Sequence, residues 1–326
     1  MFKFLKNVYN SKYRPEFVRL DLCTACQLNC VDCFMRKVNY GVIGSGYVKY
    51  EQFKSFIDKN PFVKKIEISN LGEVFLNPDL LKILKYAYEK GVTLCAYNGV
   101  NFNNVSDEVL EGLVKYKFEG LSLSIDGASN ETYSKYRRNG NFDKVIENVK
   151  KINEYKKKYN SFVPHLLWAY IIFPYNCEIS EIQKAKKMAK ELNMTIVFKK
   201  DWGGFVPENI VEVEKETNLS YNVAAITNQS SKRWLPCKQL FRKPQFTWNG
   251  KLLGCCINYQ EPFNLNVFDL GIENVLKSKI VKRSRKMLMG KLKEPNSPCF
   301  RCLYYKKMVE ENNFIKRKEL KDLMDV

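Results

Sequence analysis

Between residues 17 and 200 the chain alternates between short β-prone runs and amphipathic helical runs, and this alternation restricts its fold more than any other feature. The strand candidates are FVRLDL (17–22), KKIEIS (64–69), TLCAYN (93–98), LSLSID (121–126), PHLLWAYIIF (164–173) and TIVFKK (195–200). Between them lie helix candidates over 49–57, 78–90, 107–116, 142–158 and 180–192. Their apolar residues recur with a period of about 3.6, as at Leu81, Ile83, Leu84 and Ala87. Pro78 suits an early helical position after Asn77, and Ser106 and Ser180 are candidate N-caps. Strands separated by helices must be joined by crossovers, so the sheet is expected to be parallel. In such a sheet the loops at the carboxyl ends of the strands carry the chemistry.

After residue 201 the rhythm stops. Residues 203–235 show no strong period and read as a connecting segment. QFTWNGKLLGCC reads as a hairpin with Asn249–Gly250 as a two-residue turn, and MVEENNFIKRKELKDLMDV reads as an amphipathic helix. The expected organisation is a β/α domain over 1–205, a connection over 206–236 and a cysteine-bearing α+β domain over 237–326.

Composition excludes several classes. With 45% hydrophobic and 13% aromatic residues, the 326-residue chain can build a packed core. It has no apolar run of about 18 residues to span a membrane. Its first residues lack the apolar stretch of about 7–15 residues that a secretory signal needs, so a cytoplasmic protein without membrane contact is expected. The net charge of +19 comes from lysines spread over solvated helix faces such as KKINEYKKKYN and KAKKMAKEL. A nucleic-acid interface would show a basic stripe with interleaved aromatics, so nucleic acid is not the expected partner; an anionic substrate stays open. The single histidine, His165, excludes a multi-histidine metal site and reads as structural at the start of a strand. The eleven cysteines of a cytosolic chain point to metal or redox chemistry rather than to disulfides.

Three of those cysteines, Cys26, Cys30 and Cys33, follow the first strand with gaps of three and two residues, and Phe34 comes next. Three thiolates from one loop can converge on one cluster and leave one iron of a 4Fe–4S group open to a small molecule. The alternative is a zinc knuckle, for which Cys23 would be the fourth ligand. CxxxCxxC followed by an aromatic after the first strand resembles the radical S-adenosylmethionine (SAM) superfamily. Further pieces agree in order: Leu71-Gly72-Glu73 after the second strand, Asn98-Gly99 at the third, and Ser124-Ile-Asp126-Gly127 with ETYSKYRRNGNF at the fourth. The resemblance implies a partial (β/α)6 barrel, a SAM-binding 4Fe–4S cluster on Cys26, Cys30 and Cys33, and a reductant such as flavodoxin or ferredoxin. It implies that Phe34, Gly72, Glu73 and Asn98 contact SAM, that Ser124 meets its ribose, and that Arg137, with Arg138 the alternative, meets its carboxylate. Leu71 stands where the family has a first glycine, so the amino-group contact rests on Gly72, Glu73 and the backbone.

A second group, Cys237, Cys255, Cys256, Cys299 and Cys302, resembles the auxiliary-cluster region of SPASM or shortened "twitch" domains, as does the stretch FDLGIENVLKSKIVKRSR. No cysteine follows Cys302, so the resemblance implies one auxiliary 4Fe–4S cluster on Cys237, Cys255, Cys299 and Cys302. Four thiolates suit zinc equally well. Cys256 is an alternative ligand, a buried thiol or a hydrogen-atom donor. Cys95 reads as core, Cys177 as core or a thiol facing the site, and Asp201 as a candidate substrate base at the end of the sixth strand. The implied activity is reductive SAM cleavage and hydrogen-atom abstraction from a small molecule or peptide, giving a dehydrogenase, maturase or epimerase. With few residues before the first strand, no leader-peptide-binding domain is expected there. The alternatives are an RNA-modifying radical SAM enzyme and a non-enzymatic zinc module.

Overall fold

The computed structural model describes residues 14–37, 41–221, 235–256, 258 and 261–320. In chain order the elements are β1 (Phe17–Leu20), α1 (Phe34–Lys37), α2 (Tyr50–Lys59), β2 (Lys65–Glu67), α3 (Leu80–Glu89), β3 (Thr93–Val100), α4 (Asp107–Lys115), β4 (Gly120–Ser124), α5 (Asn130–Tyr136), α6 (Phe142–Lys158), β5 (His165–Ile172), α7 (Ile179–Glu191), β6 (Thr195–Lys200), α8 (Ile210–Thr217), α9 (Gln239–Arg242), β7 (Gln245–Phe246), β8 (Lys251–Leu252), β9 (Phe263–Asn266), α10 (Val267–Lys277), α11 (Lys279–Leu288) and α12 (Leu303–Glu310). All six expected strands and five expected helices are present. Ser106 caps α4 by accepting from Val109 N–H, whereas Ser180 lies inside α7, whose N-cap is Glu178.

One nine-stranded sheet runs in the order β6-β5-β4-β3-β2-β1-β7-β8-β9. The pairs from β1 to β6 are all parallel, as crossover helices require. Register sorts the two faces. Val18, Ile66, Leu94, Leu121 and Trp168 lie on the outer face, buried against the helices. Arg19, Glu67, Cys95, Ser122 and Leu167 line the inner face, the lumen. The parallel register, the curved half-open sheet and the helices outside it are the α/β barrel architecture expected from the sequence.

Past residue 201 the structure departs from the sequence reading in three places. The aperiodic stretch contains α8, with Val213 and Thr217 buried against the preceding helix layer; residues 222–234 lie outside the described part. The hairpin turn centres on Trp248–Asn249, because Gly250 N–H donates to the Thr247 carbonyl at 2.9 Å and Gly250 itself is left-handed at φ 81°. This is a turn closed by a glycine bulge rather than a two-residue loop. The tail helix begins earlier than expected, at Leu303, and ends at Glu310. Asn312 then turns the chain with φ 47°, and a short 3-10 turn follows over Arg317–Leu320. Residues 321–326 of the expected tail helix lie outside the described part.

The hairpin is part of the barrel's hydrogen bonding. β7 pairs parallel to β1, Arg19 with Gln245 and Leu20 with Phe246, and Asp21 N–H reaches the Phe246 carbonyl at 3.0 Å. Phe246 is fully buried, its ring edge-on to Phe56 at 6.4 Å. Phe246→Ala should therefore cost about 3–5 kcal/mol, the usual loss for a buried phenylalanine. Urea unfolding should show one cooperative transition moved to lower urea. A separate early transition with the rest unmoved would mean that the hairpin is an independent unit.

Candidate active site

The end of β1 runs directly into the cysteine segment, which its neighbours hold from three sides. Glu73 N–H donates to the Ala25 carbonyl at 2.8 Å, Asn29 N–H to the Arg138 carbonyl at 2.9 Å, and Val31 N–H to the Tyr136 carbonyl at 3.2 Å. Below it, Thr24 Oγ1 donates to the Gly44 carbonyl, and Thr24 N–H to that of Gly46 at 2.9 Å. The Trp248 ring packs on Gly46, and its indole N–H donates to the Ile43 carbonyl at 2.9 Å. The C-terminal hairpin thus buttresses the loop that carries the cysteines.

Cys26, Cys30 and Cys33 influence one another electrostatically, so their thiols face a common space. Burial pushes Cys26 up to about 12, with Glu73, Cys30 and Cys33 adding to the rise. Burial also raises Cys30, while the Arg137 guanidinium works against it. Three soft thiols on one short loop, beside a cation, are a donor set that fits an iron–sulfur cluster. Among the described residues, no three His, Cys, Asp or Glu side chains are already drawn in to metal-ligating distance.

Arg137 lies at the end of α5, over the Tyr136 ring at 4.9 Å. Its Nε donates to Asp126 Oδ2 at 2.7 Å, Nη2 pairs with the same oxygen at 2.6 Å, and Nη1 reaches Cys30 Sγ at 3.7 Å. Burial alone would lower its pKa, but Asp126 and Cys30 outweigh that and raise it. Arg138 is exposed. The other Asp126 oxygen accepts from Ile171 N–H at 2.8 Å, which fixes the carboxylate between β4 and β5.

Gly72, Glu73, Asn98 and Ser124 stand along the carboxyl ends of β2, β3 and β4. Gly72 has φ 73°, and a Cβ there would overlap the Thr24 backbone, so only glycine fits beside the cysteine segment. Glu73 is buried. It accepts from Asn101 N–H at 2.6 Å and from Phe75 N–H at 3.4 Å, and burial lifts it to about 7. Asn98 is exposed and donates to Asn70 Oδ1 at 3.1 Å. A Cβ on Gly99 would come within 2.9 Å of Ser124 Oγ, so the third and fourth strand ends touch where the ribose contact is expected. Phe34 opens α1 directly after Cys33. Asp201 stands apart: its two oxygens accept from Gly203 N–H at 2.7 Å and Phe205 N–H at 2.8 Å, holding its own loop.

The C-terminal thiols also gather. Cys237 is raised by burial and feels Cys302 and Cys256; Cys299, pushed up to about 12 by burial, feels Cys237 and Cys302. Tyr304 feels Cys302, Cys256, Cys237 and Cys255. Ser297 holds the CxxC turn by accepting from Cys299 N–H at 3.2 Å, and Cys302 N–H closes it on the Cys299 carbonyl. Cys95 and Cys177 are both buried: Cys95 lies against Glu67 and Cys177 donates to the Pro174 carbonyl at 3.5 Å.

Two site residues carried no assignment from sequence. Asp126 was visible as the acid ending the fourth strand, and its role as the Arg137 partner needed the fold. Asn101, whose Nδ2 reaches Cys26 Sγ at 3.7 Å, lies two residues past the Asn98-Gly99 pair with no motif to mark it.

Residues 21–167 match the Radical SAM superfamily. The segment that carries the three-cysteine loop is thus similar to radical SAM domains. It is 28% identical over 186 residues to the AdoMet-dependent heme synthase of Methanosarcina barkeri, covering 55% of this chain and about half of that relative, 48%. Its fold is similar to that of SuiB from Streptococcus suis bound to the precursor peptide SuiA, with TM-score 0.64, 12% identity, and 99% of this chain and 79% of that one covered. It is similar to SuiB bound to S-adenosylmethionine with TM-score 0.63 at 13% identity, covering 99% and 80%. No helix among the described residues is long and apolar enough to cross a membrane.

Burial sets the sign of the pH dependence. Asp21 rises from 3.8 to about 7 through burial, against bonds from Gln245 and Leu71, and Glu73 rises from 4.5 to about 7. Between those limits the folded chain holds protons that the unfolded chain has released, so stability falls as pH rises. In the cluster-free protein, the urea midpoint should be highest below pH 3.8 as far as these two groups are concerned and fall towards about 7. Asp21→Asn should flatten that slope, and an unchanged slope would contradict it.

Proposed function

We propose that this chain reductively cleaves SAM and uses the resulting radical on a small-molecule or peptide substrate held in the barrel lumen, with a second iron–sulfur cluster in the C-terminal region. The observation that carries the reading is the three-cysteine loop at the end of β1, with Arg137 and Asp126 tied to Cys30 beside it. When bound, the cluster supplies the electron that splits SAM into methionine and a 5′-deoxyadenosyl radical, which takes a hydrogen atom from the substrate. The chain's own residues bind, orient and shield. Cys26, Cys30 and Cys33 hold the cluster. Gly72, Glu73 and the adjoining backbone hold the amino end of SAM, and a carboxylate on Glu73 suits an ammonium once the group ionises. Ser124 and Asn98 face the ribose, Phe34 flanks the cluster, and Arg137 offers charge to the SAM carboxylate.

Cys237, Cys299 and Cys302, with Cys255 or Cys256 as the fourth, form the second donor set. Full ligation by four thiolates leaves no iron for SAM, so this group serves the substrate, as an electron acceptor or as a wall of its pocket. That makes the chain a dehydrogenase or a maturase type of enzyme, drawing electrons from a flavodoxin- or ferredoxin-type donor.

Anaerobically purified protein should be brown and carry about eight irons, from two clusters of four. Replacing Cys26, Cys30 and Cys33 by Ala should leave about four irons and abolish 5′-deoxyadenosine formation from SAM. Stoichiometric zinc without iron would overturn the reading. Arg137→Ala should weaken SAM binding by about tenfold, the value of one charge-assisted hydrogen bond, while Arg138→Ala binds normally. Equal loss in both, in proteins that melt cooperatively, would contradict the role given to Arg137. Cys299→Ala with Cys302→Ala should keep slow SAM cleavage and lose product.

A further inference from the structure

The lumen has a charged group that none of these roles uses. In the β5–β6 register Ile171 pairs with Lys199, and Ile171 shares its side of the sheet with Leu167 and Ala169, away from buried Trp168 and Tyr170. Lys199 therefore projects into the lumen. Lys200, next to it, turns outward to the Ser220 carbonyl and the Tyr221 ring. Lys199 is open to the lumen, yet among the described residues it makes no hydrogen bond and no ion pair. The charges it feels are Asp126 and Arg137, and crowding by its surroundings lowers its pKa. Asp126 has one oxygen on Arg137 and the other on Ile171 N–H, and makes no bond to Lys199.

A second unused donor flanks the same ion pair. Tyr136, Phe173 and Tyr175 form a three-ring stack, with centroids 4.6 Å and 5.4 Å apart and planes within 21° and 17°. Arg137 caps the Tyr136 end. The hydroxyl of Tyr175 is buried without a partner and feels Asp126 and Arg137. A buried hydroxyl without an acceptor costs free energy, and the exposed Lys199 ammonium stands beside it on the lumen side, where an arriving anion can reach it. Both groups donate, one carries a full positive charge, and Asp126, the carboxylate that both feel, bonds to neither.

We propose that Lys199 and the Tyr175 hydroxyl form a carboxylate-binding corner of the barrel lumen. A carboxylate offers the charge that Lys199 lacks and an acceptor for each donor. Two molecules of the proposed reaction can bring one: the substrate, which would then belong to the carboxylic acids or carboxylate-bearing peptides, or SAM through its methionyl end. The corner rests on the reading of the lumen as the chamber for SAM and substrate.

Competitive acetylation of the holoenzyme at neutral pH, read by peptide mass spectrometry, tests it with Lys200 as the internal reference. A carboxylate in the corner should slow Lys199 acetylation by about tenfold relative to Lys200, the worth of one charge-assisted bond. If the carboxylate is that of SAM, S-adenosylhomocysteine protects and 5′-methylthioadenosine, which lacks the carboxylate, does not. If it is that of the substrate, succinate protects in the presence of S-adenosylhomocysteine and succinamide does not. Neutral controls that protect as well as the acids, or no protection by either acid, overturn the corner. Tyr175→Phe keeps the ring stack and should weaken the protection; full protection in that variant would remove the hydroxyl from the corner. The labelling reads binding and not turnover. An iron-loaded, SAM-cleaving protein with an unprotected Lys199 sinks the corner alone, whereas a protein that holds no iron and cleaves no SAM sinks the radical reading itself.

Discussion

The pairing of β1 on both of its edges is the constraint on which the rest depends. β2 takes one edge and β7 the other, so the strand that delivers the cysteine loop is fixed along its whole length. Leu20 and Leu22 are fully buried at its end, and Asp21 between them bonds to both Gln245 and Leu71 N–H. One buried carboxylate thereby links the C-terminal hairpin to the loop of Gly72 and Glu73. A loop that must hold three thiols in register gains from such support, because a small displacement of a ligand is costly to a metal site. Trp248 adds a second brace through Gly46 and Thr24. The same sheet therefore carries both cysteine groups, one after β1 and one flanking β7 and β8.

Charge at the site is arranged by burial. The Arg137–Asp126 pair is largely removed from water, with side-chain exposures of 15% and 0%. Such a pair contributes little net stability, but it fixes where the guanidinium points, here towards Cys30. Glu73 and Asp21 are held near neutral pH by desolvation, so a ligand's ammonium arriving near Glu73 would favour its ionised form. Some of the surface lysines take part in solvent-facing pairs, such as Lys144 with Glu147 and Lys186 with Glu216. Exposed pairs of this kind are worth little to stability.

The barrel was legible because period and spacing are local. Each parallel strand is short and apolar, each crossover helix shows its buried stripe, and the cysteine spacing is contiguous. What the sequence hid depends on long-range packing. Helix α8 is short and rich in glutamate, and it is a helix because Val213 and Thr217 are buried against its neighbours. The hairpin turn moved by one residue because Gly250 is needed as a bulge, where a Cβ would meet Asn266 and Phe268. The tail helix stops at Glu310 because Ile315 N–H turns back to the Leu288 carbonyl at 3.1 Å, and Ile315 is buried there. At the site, residue types marked Arg137 and Glu73, but only the fold shows that Asp126 binds the first and that backbone N–H groups occupy the second. Lys199 and Lys200 are alike in sequence, and only register separates the lumen from the outer face.

The central claim is that SAM binds at the cluster held by the β1 loop and not at the C-terminal one. Low-temperature electron paramagnetic resonance of the dithionite-reduced protein tests it most directly. Two overlapping cluster signals are expected, and SAM should alter the one that disappears when Cys26, Cys30 and Cys33 are replaced by Ala, leaving the other unchanged. A SAM-dependent change that persists in that variant, or none in the unsubstituted protein, would contradict the claim.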